Sequence, residues 1–273
     1  MSILNSFIKS PQLQVYNTCY PFIPFNFHDE EIAETGFDFP ATAVLGMQAE
    51  ACFEAYLRRS KNYEVLASNI QIPKLFGGKN NSGKITLGEF DYIVKCRESL
   101  ELCHIELAYK FYLYNPNEEC SELKKWIGPN KKDSLFQKLE KLKWKQFPLL
   151  ENPIAIDYLN KLDIKLPTSQ QLCLKTHLFV PKGFTAGIWP SNYRECVVGY
   201  WIRPGEMEHE NKSALYAMPD KKQWLLPPSE APLDWCSYDM IVGLIECKLA
   251  DRISPLIYEK SGSAISSFFV VWW

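Results

Sequence analysis

ITLGEFDYIVKCRESLELCHIELAYKFYLY, residues 85–114, decides the fold. Its two halves, 85–96 and 102–114, are rich in β-branched and aromatic residues. The polar Arg97, Glu98 and Ser99 join them, which predicts an antiparallel hairpin. Side chains alternate across a strand with period two. Glu89, Asp91 and Ile93 therefore share one side of the first strand, and His104, Glu106, Ala108 and Lys110 one side of the second. With those sides coincident, Asp91, Glu106 and Lys110 gather at one spot. Two carboxylates with nothing to neutralise them repel, so a divalent cation, Mg2+ or Mn2+, is their natural occupant. A lysine beside it orients a water or stabilises charge on a phosphate. The same pattern also describes a solvated hairpin face with a cross-strand salt bridge. The hydrophobicity of the strands instead favours a sheet covered on both faces, where charges need a purpose.

Outward from the hairpin the chain is organised as an α/β unit. Residues 44–59 form a helix whose Leu45, Ala49, Cys52, Phe53, Tyr56 and Leu57 share one face, with Glu50 at its border. A strand over 63–72 stops at Pro73, and FGGKNNSGK (76–84) is a cluster of turn formers. Pro129 and Asn130 precede Asp133, which is expected to cap a helix running to about residue 146 on Leu135, Leu139 and Leu142. A further strand covers 171–180. The order from 44 to 180 is helix, three strands, helix, strand, a compact core with a mixed sheet. Residues 1–43 read as irregular. Beyond 181, strands are expected at 197–202, 214–218 and 223–226, then a helix over 238–250 before the final FFVVWW. With no flexible linker between them, the 181–273 segment reads as a β-rich C-terminal elaboration packed on the 44–180 core, making 1–273 a single domain.

Composition bounds the function classes. The 273 residues are 47% hydrophobic and 23% charged, which excludes a disordered or fibrous chain, and 18 prolines argue against a purely helical bundle. A formal charge of −2 gives no global basic field of the kind that marks many nucleic-acid binders. No apolar run approaches the ~20 residues a membrane helix requires. The N-terminal residues lack the pattern of a secretory signal. Nine cysteines form no CxxC pair, and with the four scattered histidines they show no zinc spacing. They read as reduced, buried thiols of a cytoplasmic protein.

Charge is nevertheless uneven. Residues 121–145 hold eight lysines against Glu122, Asp133 and Glu140. Lys138, Lys141 and Lys145 share a helical stripe that suits a nucleic-acid backbone as well as it suits solvent. Trp189, Trp201, Trp224 and Trp235 are expected in the core before they are expected to stack bases. Glu246 and Lys248 in IECKLA imitate an acid–lysine strand motif, but the surrounding period is helical and splits them between faces.

GEFD followed by IELAYK resembles the acidic half-sites of the PD-(D/E)XK nuclease superfamily, whose core has the same helix, three strands, helix, strand order. LGMQAEACFEAYL (45–57), LASNIQI (66–72), TLGEFDYIV (86–94), HIELAYKFYL (104–113) and WIGPNKKDSLFQKLEKL (126–142) are similar to an uncharacterised bacterial family, domain-of-unknown-function family 1853, placed in that superfamily. The resemblance covers residues 40–150 well and thins after 180. It implies a restriction-endonuclease-like core in which Asp91 and Glu106 hold the metal, Lys110 is the lysine and Glu50 the acid of the first helix. Asn130, Asp133 and Lys138 match its second-helix signature. The superfamily's lysine stands two residues after the acid. Ala108 holds that place here, and Lys110 lies ~7 Å further along the strand on the same side.

The expectation from sequence is therefore a metal-dependent nuclease acting on DNA or RNA, with Asp91, Glu106, Lys110 and Glu50 at its centre. The displaced lysine keeps a second expectation open: a degenerate nuclease fold that binds nucleic acid or protein without cutting.

Overall fold

The computed structural model describes residues 3–30, 32, 37–74, 86–118, 121–185 and 189–273. The FGGKNNSGK turn, Ile85 and Cys120 lie outside the described residues. The hairpin forms as β2 (Thr86–Cys96) and β3 (Leu102–Tyr114), and β1 (Tyr63–Pro73) pairs antiparallel with β2. β4 (Trp126–Ile127) is a short antiparallel addition at the end of β3. β5 (Ser169–Pro181) then runs parallel to β3 along eleven paired positions.

The segment after 181 continues the same sheet. β6 (Val197–Ile202) is parallel to β5, and β9 (Ala264–Val270) is parallel to β6. β8 (Leu256–Ser261) and β7 (Leu215–Ala217) close the order β1-β2-β3-β5-β6-β9-β8-β7 with antiparallel pairs. The result is a mixed α/β protein built on a nine-stranded mixed sheet.

Helices cover both faces, as the apolar strands require. α1 (Ile3–Lys9) and α2 (Leu45–Arg59) lie on one face, where Phe7, Phe25, Phe53 and Tyr56 pack with Tyr92, Ile105 and Leu107. α3 (Leu135–Lys141) lies on the other, over Ala108, Tyr112 and Leu174. α4 (Pro153–Lys161) seals the β1–β2 end with Ile72, Phe90 and Ile93. The short α5 (Ser191–Glu195) leads into β6, and α6 (Tyr238–Ala250) covers Ile202, Ile257 and Phe268. No helix of the described residues is long and apolar enough to cross a membrane.

Several expectations need correction, and several elements, β4, α4, α5 and β8 among them, were not anticipated. The second helix begins at Leu135 with Ser134, not Asp133, as its cap: Ser134 Oγ accepts the Gln137 N–H at 3.2 Å. Asp133 is drawn away by Lys110, 2.8 Å distant. After Lys141 the helix widens into a π-turn over Leu142–Gln146 before a 3-10 turn over Phe147–Glu151. The strand expected at 223–226 is a 3-10 turn over Lys221–Gln223, closed by Gln223 Oε1 accepting the Asp220 N–H at 2.7 Å. Residues 1–43 are not wholly irregular, because α1 docks there; its seven residues, about two turns, are too few to show a period. α4 was signalled by Asn152 before Pro153, a cap followed by proline at the first helical position, and Asn152 Oδ1 does accept the Ile154 N–H at 3.0 Å. β8 was also not anticipated. Of the described cysteines, Cys52, Cys103, Cys173 and Cys196 are buried as expected, whereas Cys19 and Cys247 are exposed.

Glycine is required at one interior strand position. A Cβ on Gly199 of β6 would collide with the Ser267 carbonyl oxygen and stand 2.7 Å from Phe179 Cε1. β5 and β9 fix the backbone on both sides, so it cannot yield. Gly199→Ala is expected to cost about 2–3 kcal/mol. The check is a drop in the denaturation midpoint at unchanged slope.

Candidate functional site

Even-numbered residues of β3 face α3, as the period-two reading requires. Ala108 and Tyr112 pack in that cluster, while Ile105, Leu107 and Leu113 pack on the α2 side. Glu106 is thereby directed under α3 and is fully buried. His104 is equally buried on the same face, with Nε2 2.9 Å from Glu106 Oε1. The tautomer follows from Gln170. Its Nε2 donates to the Phe147 carbonyl at 2.9 Å and lies 3.3 Å from His104 Nδ1, which must accept. His104 Nε2 therefore carries the proton and donates to Glu106. The ring is neutral, because burial depresses its pKa to about 4.

Asp91 reaches the same place by a different route. β2 pairs with β3 only over Tyr92–Lys95, and at Asp91 the ladder stops. Phe90 and Ile93, of opposite parity, pack in one cluster, so strict alternation breaks between them. This corrects the expectation that Glu89, Asp91 and Ile93 lie on one regular face. Where the strands part, Asp91 Oδ2 accepts the Leu107 N–H at 2.9 Å, in place of a backbone acceptor on β2. Asp91 thereby comes within side-chain hydrogen-bonding reach of Glu106. Burial and the neighbouring Glu106 raise the Asp91 pKa to about 6. Burial raises that of Glu106 to about 7, against the pull of Lys138 and Lys141.

The cation that acts most strongly on the pair is Lys138, not Lys110. Half-buried on α3, Lys138 donates to Gln146 Oε1 at 3.0 Å, and the Gln146 amide donates to Glu106 Oε2. The π-turn is what aims Gln146 at the acid: one extra residue in the turn rotates it inward. Burial lowers the Lys138 pKa while Glu106 and Asp91 oppose the shift. Lys110 instead pairs with Asp133 across a half-exposed contact. Gly128 makes room for that contact, since a Cβ there would collide with Asp133 Oδ1. Lys141 and Lys145 are exposed, so the expected three-lysine stripe is interrupted by the inward turn of Lys138.

Glu50 approaches from the α2 side. Tyr92 donates its hydroxyl to the Glu50 carbonyl at 2.9 Å, tying α2 to β2. Burial, then Asp91, then Glu89 raise the Glu50 carboxyl pKa. Glu89 is raised in turn by burial and Asp91. Sequence reasoning placed Glu89 beside Asp91 without assigning it a role. Gln146 and Gln170 were missed, and no sequence signal marks them.

A cavity of about 510 Å3 opens beside the acids. Its wall includes Leu107 and Ala108, next to Glu106, together with Glu50 and Lys138. Five lysines line it: Lys110, Lys132 and Lys138 from the core and Lys221 and Lys248 from the later segment. The Ser254 hydroxyl on its wall is buried with no hydrogen-bond partner, while the Ser254 N–H is held by Asn130 Oδ1 at 2.8 Å. Asn130 thus joins the core loop to the later segment. Glu246 and Lys248 do sit on a helix, α6, as expected, with only Lys248 contributing to the cavity. Trp201 is buried, and Trp189, Trp224 and Trp235 are packed against neighbours; Trp144 is 65% exposed, with Lys143 Nζ over its ring at 4.9 Å and its Nε1–H donating to Glu140 at 3.1 Å.

Whether this donor set suits a divalent cation is decided by its chemistry. Among the described residues no three His, Cys, Asp or Glu side chains converge as a metal cage. Mg2+ is commonly held by one or two carboxylates, with waters and substrate phosphate completing the shell. Asp91 and Glu106 are adjacent hard oxygen donors, Glu106 fully buried and Asp91 half-buried, with Lys138 the positive charge that pulls on both. They fit such an ion.

The family model described as Domain of unknown function (DUF1853) matches residues 27–261. No curated protein and no solved structure matches the chain.

Proposed function

We propose that this chain, which belongs to the family described as Domain of unknown function (DUF1853), is a divalent-metal-dependent phosphodiester hydrolase acting on nucleic acid. One observation carries the reading: carboxylates from two strands, Asp91 and Glu106, meet where those strands part, beside a cavity lined by five lysines. Acids next to a cavity lined by five lysines against Glu50, Asp133 and Asp220 suit a substrate that brings phosphate to a cation. We also read residues 44–180 as a PD-(D/E)XK, restriction-endonuclease-like core within a single cytoplasmic domain. The α2, β1–β3, α3, β5 order supports this, with β1–β3 antiparallel and β5 parallel to β3.

In this reading Asp91 and Glu106 hold Mg2+ or Mn2+. The bound ion supplies Lewis-acid stabilisation of charge developing on the phosphoryl oxygens. The chain's own groups do the rest. His104 and Gln146 orient Glu106 by donating to its two oxygens. Lys138 fixes the Gln146 amide so that its NH2 faces the acid. The cavity lysines and the Ser254 hydroxyl bind the phosphate backbone in a partly desolvated site, where each charge counts for more than in water. Glu50, whose carboxyl holds its proton more tightly than usual, stands at the cavity wall, placed to take a proton from an attacking water.

The saturation of Glu106 favours a second reading: a nuclease fold that binds nucleic acid without turnover, its acid held by internal donors. Incubation of the purified chain with single- and double-stranded DNA and RNA in Mg2+ or Mn2+ separates the two. Hydrolysis requires cation-dependent cleavage lost in Glu106→Gln. The binding reading requires retention of the nucleic acid, uncut and insensitive to Glu106→Gln.

A further inference from the structure

A second cavity, about 640 Å3, lies on the α1 side of β3 and β5 and shares the Tyr109, Phe111 and Trp224 walls with the lysine-lined cavity. Its character is different. His177 lies parallel to Phe111, with ring centroids 4.6 Å apart and planes 9° apart, and Tyr109 closes on it at 5.2 Å. Trp224 packs on Phe111 at 4.9 Å. Lys9 is the only lysine or arginine among the described lining residues.

Within this aromatic wall the His177 Nδ1 atom is buried and has no hydrogen-bond partner. An unpartnered buried ring nitrogen is a standing cost to the fold, and such groups in native proteins call for an explanation. Burial, with the nearby Lys175 charge, holds the imidazole neutral, its pKa pushed down to about 3. A neutral ring offers a hydrogen bond to a polar edge and no charge to an anion. The ligand it suits is planar, stacks on aromatics and carries donors or acceptors along its rim.

We propose that this cavity receives the nucleobase of the substrate, against His177 and beside the Phe111–Trp224 partition, while the attached phosphate occupies the lysine-lined cavity. The inference rests on the hydrolase reading for the phosphate side and adds the substrate class. A base can enter only if it is out of the stack, so the substrate is single-stranded, frayed or a free nucleotide, not intact duplex. Adjacency of the two cavities argues for one ligand over two. A flat polar ring and a phosphate are the two halves of a nucleotide, and the partition between them is itself aromatic.

The test uses the full chain, the four ribonucleoside 5′-monophosphates, and ribose 5-phosphate as the base-free control. Calorimetry gives affinity. At least one monophosphate is expected to bind tenfold or more tightly than ribose 5-phosphate. His177→Phe keeps the stack on Phe111 and removes the ring nitrogen. It should erase most of that preference, leave ribose 5-phosphate binding unchanged and preserve or raise the melting temperature, since a buried orphan is removed. Should that variant fail to fold, Val198→Trp fills the cavity from a half-exposed position on its wall and should have the same effect. Equal binding of all four monophosphates and ribose 5-phosphate, or a preference untouched by both variants, overturns the proposal. Base-dependent binding without hydrolysis in any cation would remove the hydrolase reading and leave this site. Cation-dependent cleavage lost in Asp91→Asn, with no base preference, would do the reverse.

Discussion

Asp91→Asn is expected to abolish cleavage and, in the absence of divalent cation, to make the protein more stable at pH 8. The two effects have one cause. Asp91, half-buried, and Glu106, fully buried, are neighbours whose pKa values are raised to about 6 and about 7. A raised carboxyl pKa means that the native state binds its proton more tightly than the unfolded chain does. The contribution of the pair is thus fully present below about pH 4 and is lost as pH rises through the folded values, to a full penalty above about pH 7. Asparagine removes one charge of the pair. Its oxygen keeps the Leu107 N–H now held by Asp91 Oδ2. Its NH2 gives Glu106 a donor in place of a repulsion. A gain of about 1–3 kcal/mol at pH 8 is expected, shrinking to nothing near pH 4. Saturating Mg2+ should stabilise the native chain and leave the variant unmoved. Hydrolysis should fall by more than about 100-fold. Thermal unfolding across pH, with and without Mg2+, checks the first half, and cleavage assays check the second.

The second large effect separates the two lysines. Lys138→Met should cost about 100-fold in turnover, whereas Lys110→Met should cost less than about tenfold. Lys138 is the cation that acts most strongly on the acids and fixes the Gln146 amide that faces Glu106. Without it the Glu106 and Asp91 pKa values rise further, because a positive charge that favoured their ionised forms is gone. The acidic limb of the pH–rate profile should therefore move to higher pH, by about one unit. Lys110 acts on neither acid. It sits in a half-exposed pair with Asp133, worth at most about 1 kcal/mol. A larger loss or a larger limb shift in Lys110→Met would return the role to the lysine that the motif alone selects.

The difference between those lysines marks where sequence stops being legible. Alternation along β3 placed Glu106 and Lys110 correctly on one face, because a long paired strand obeys its period. The position of Asp91 was right for a reason that pattern cannot hold: β2 leaves β3 there, and a side chain takes over a backbone hydrogen bond. Lys138 read as part of a stripe because a window of α-helical period cannot see a π-turn. That turn depends on how Leu142 and Phe147 are buried, a tertiary fact. Asp133 read as a cap because its partner Lys110 is distant in sequence. Strands such as β6 and helices such as α6 were legible because each is long enough to show its own period. α1 was too short to do so, and the five-lysine cavity needed α3 and α6 brought together, which no local signal announces.

The central claim is that Asp91 and Glu106 form a divalent-cation site. Calorimetric titration of the purified chain with Mn2+ at pH 6.5, repeated in buffers of different ionisation enthalpy, tests it most directly. One ion should bind and release close to one proton, the proton the pair retains at that pH, and both signals should vanish in Asp91→Asn and Glu106→Gln. Absence of Mn2+ binding, or binding that both variants retain, would contradict it.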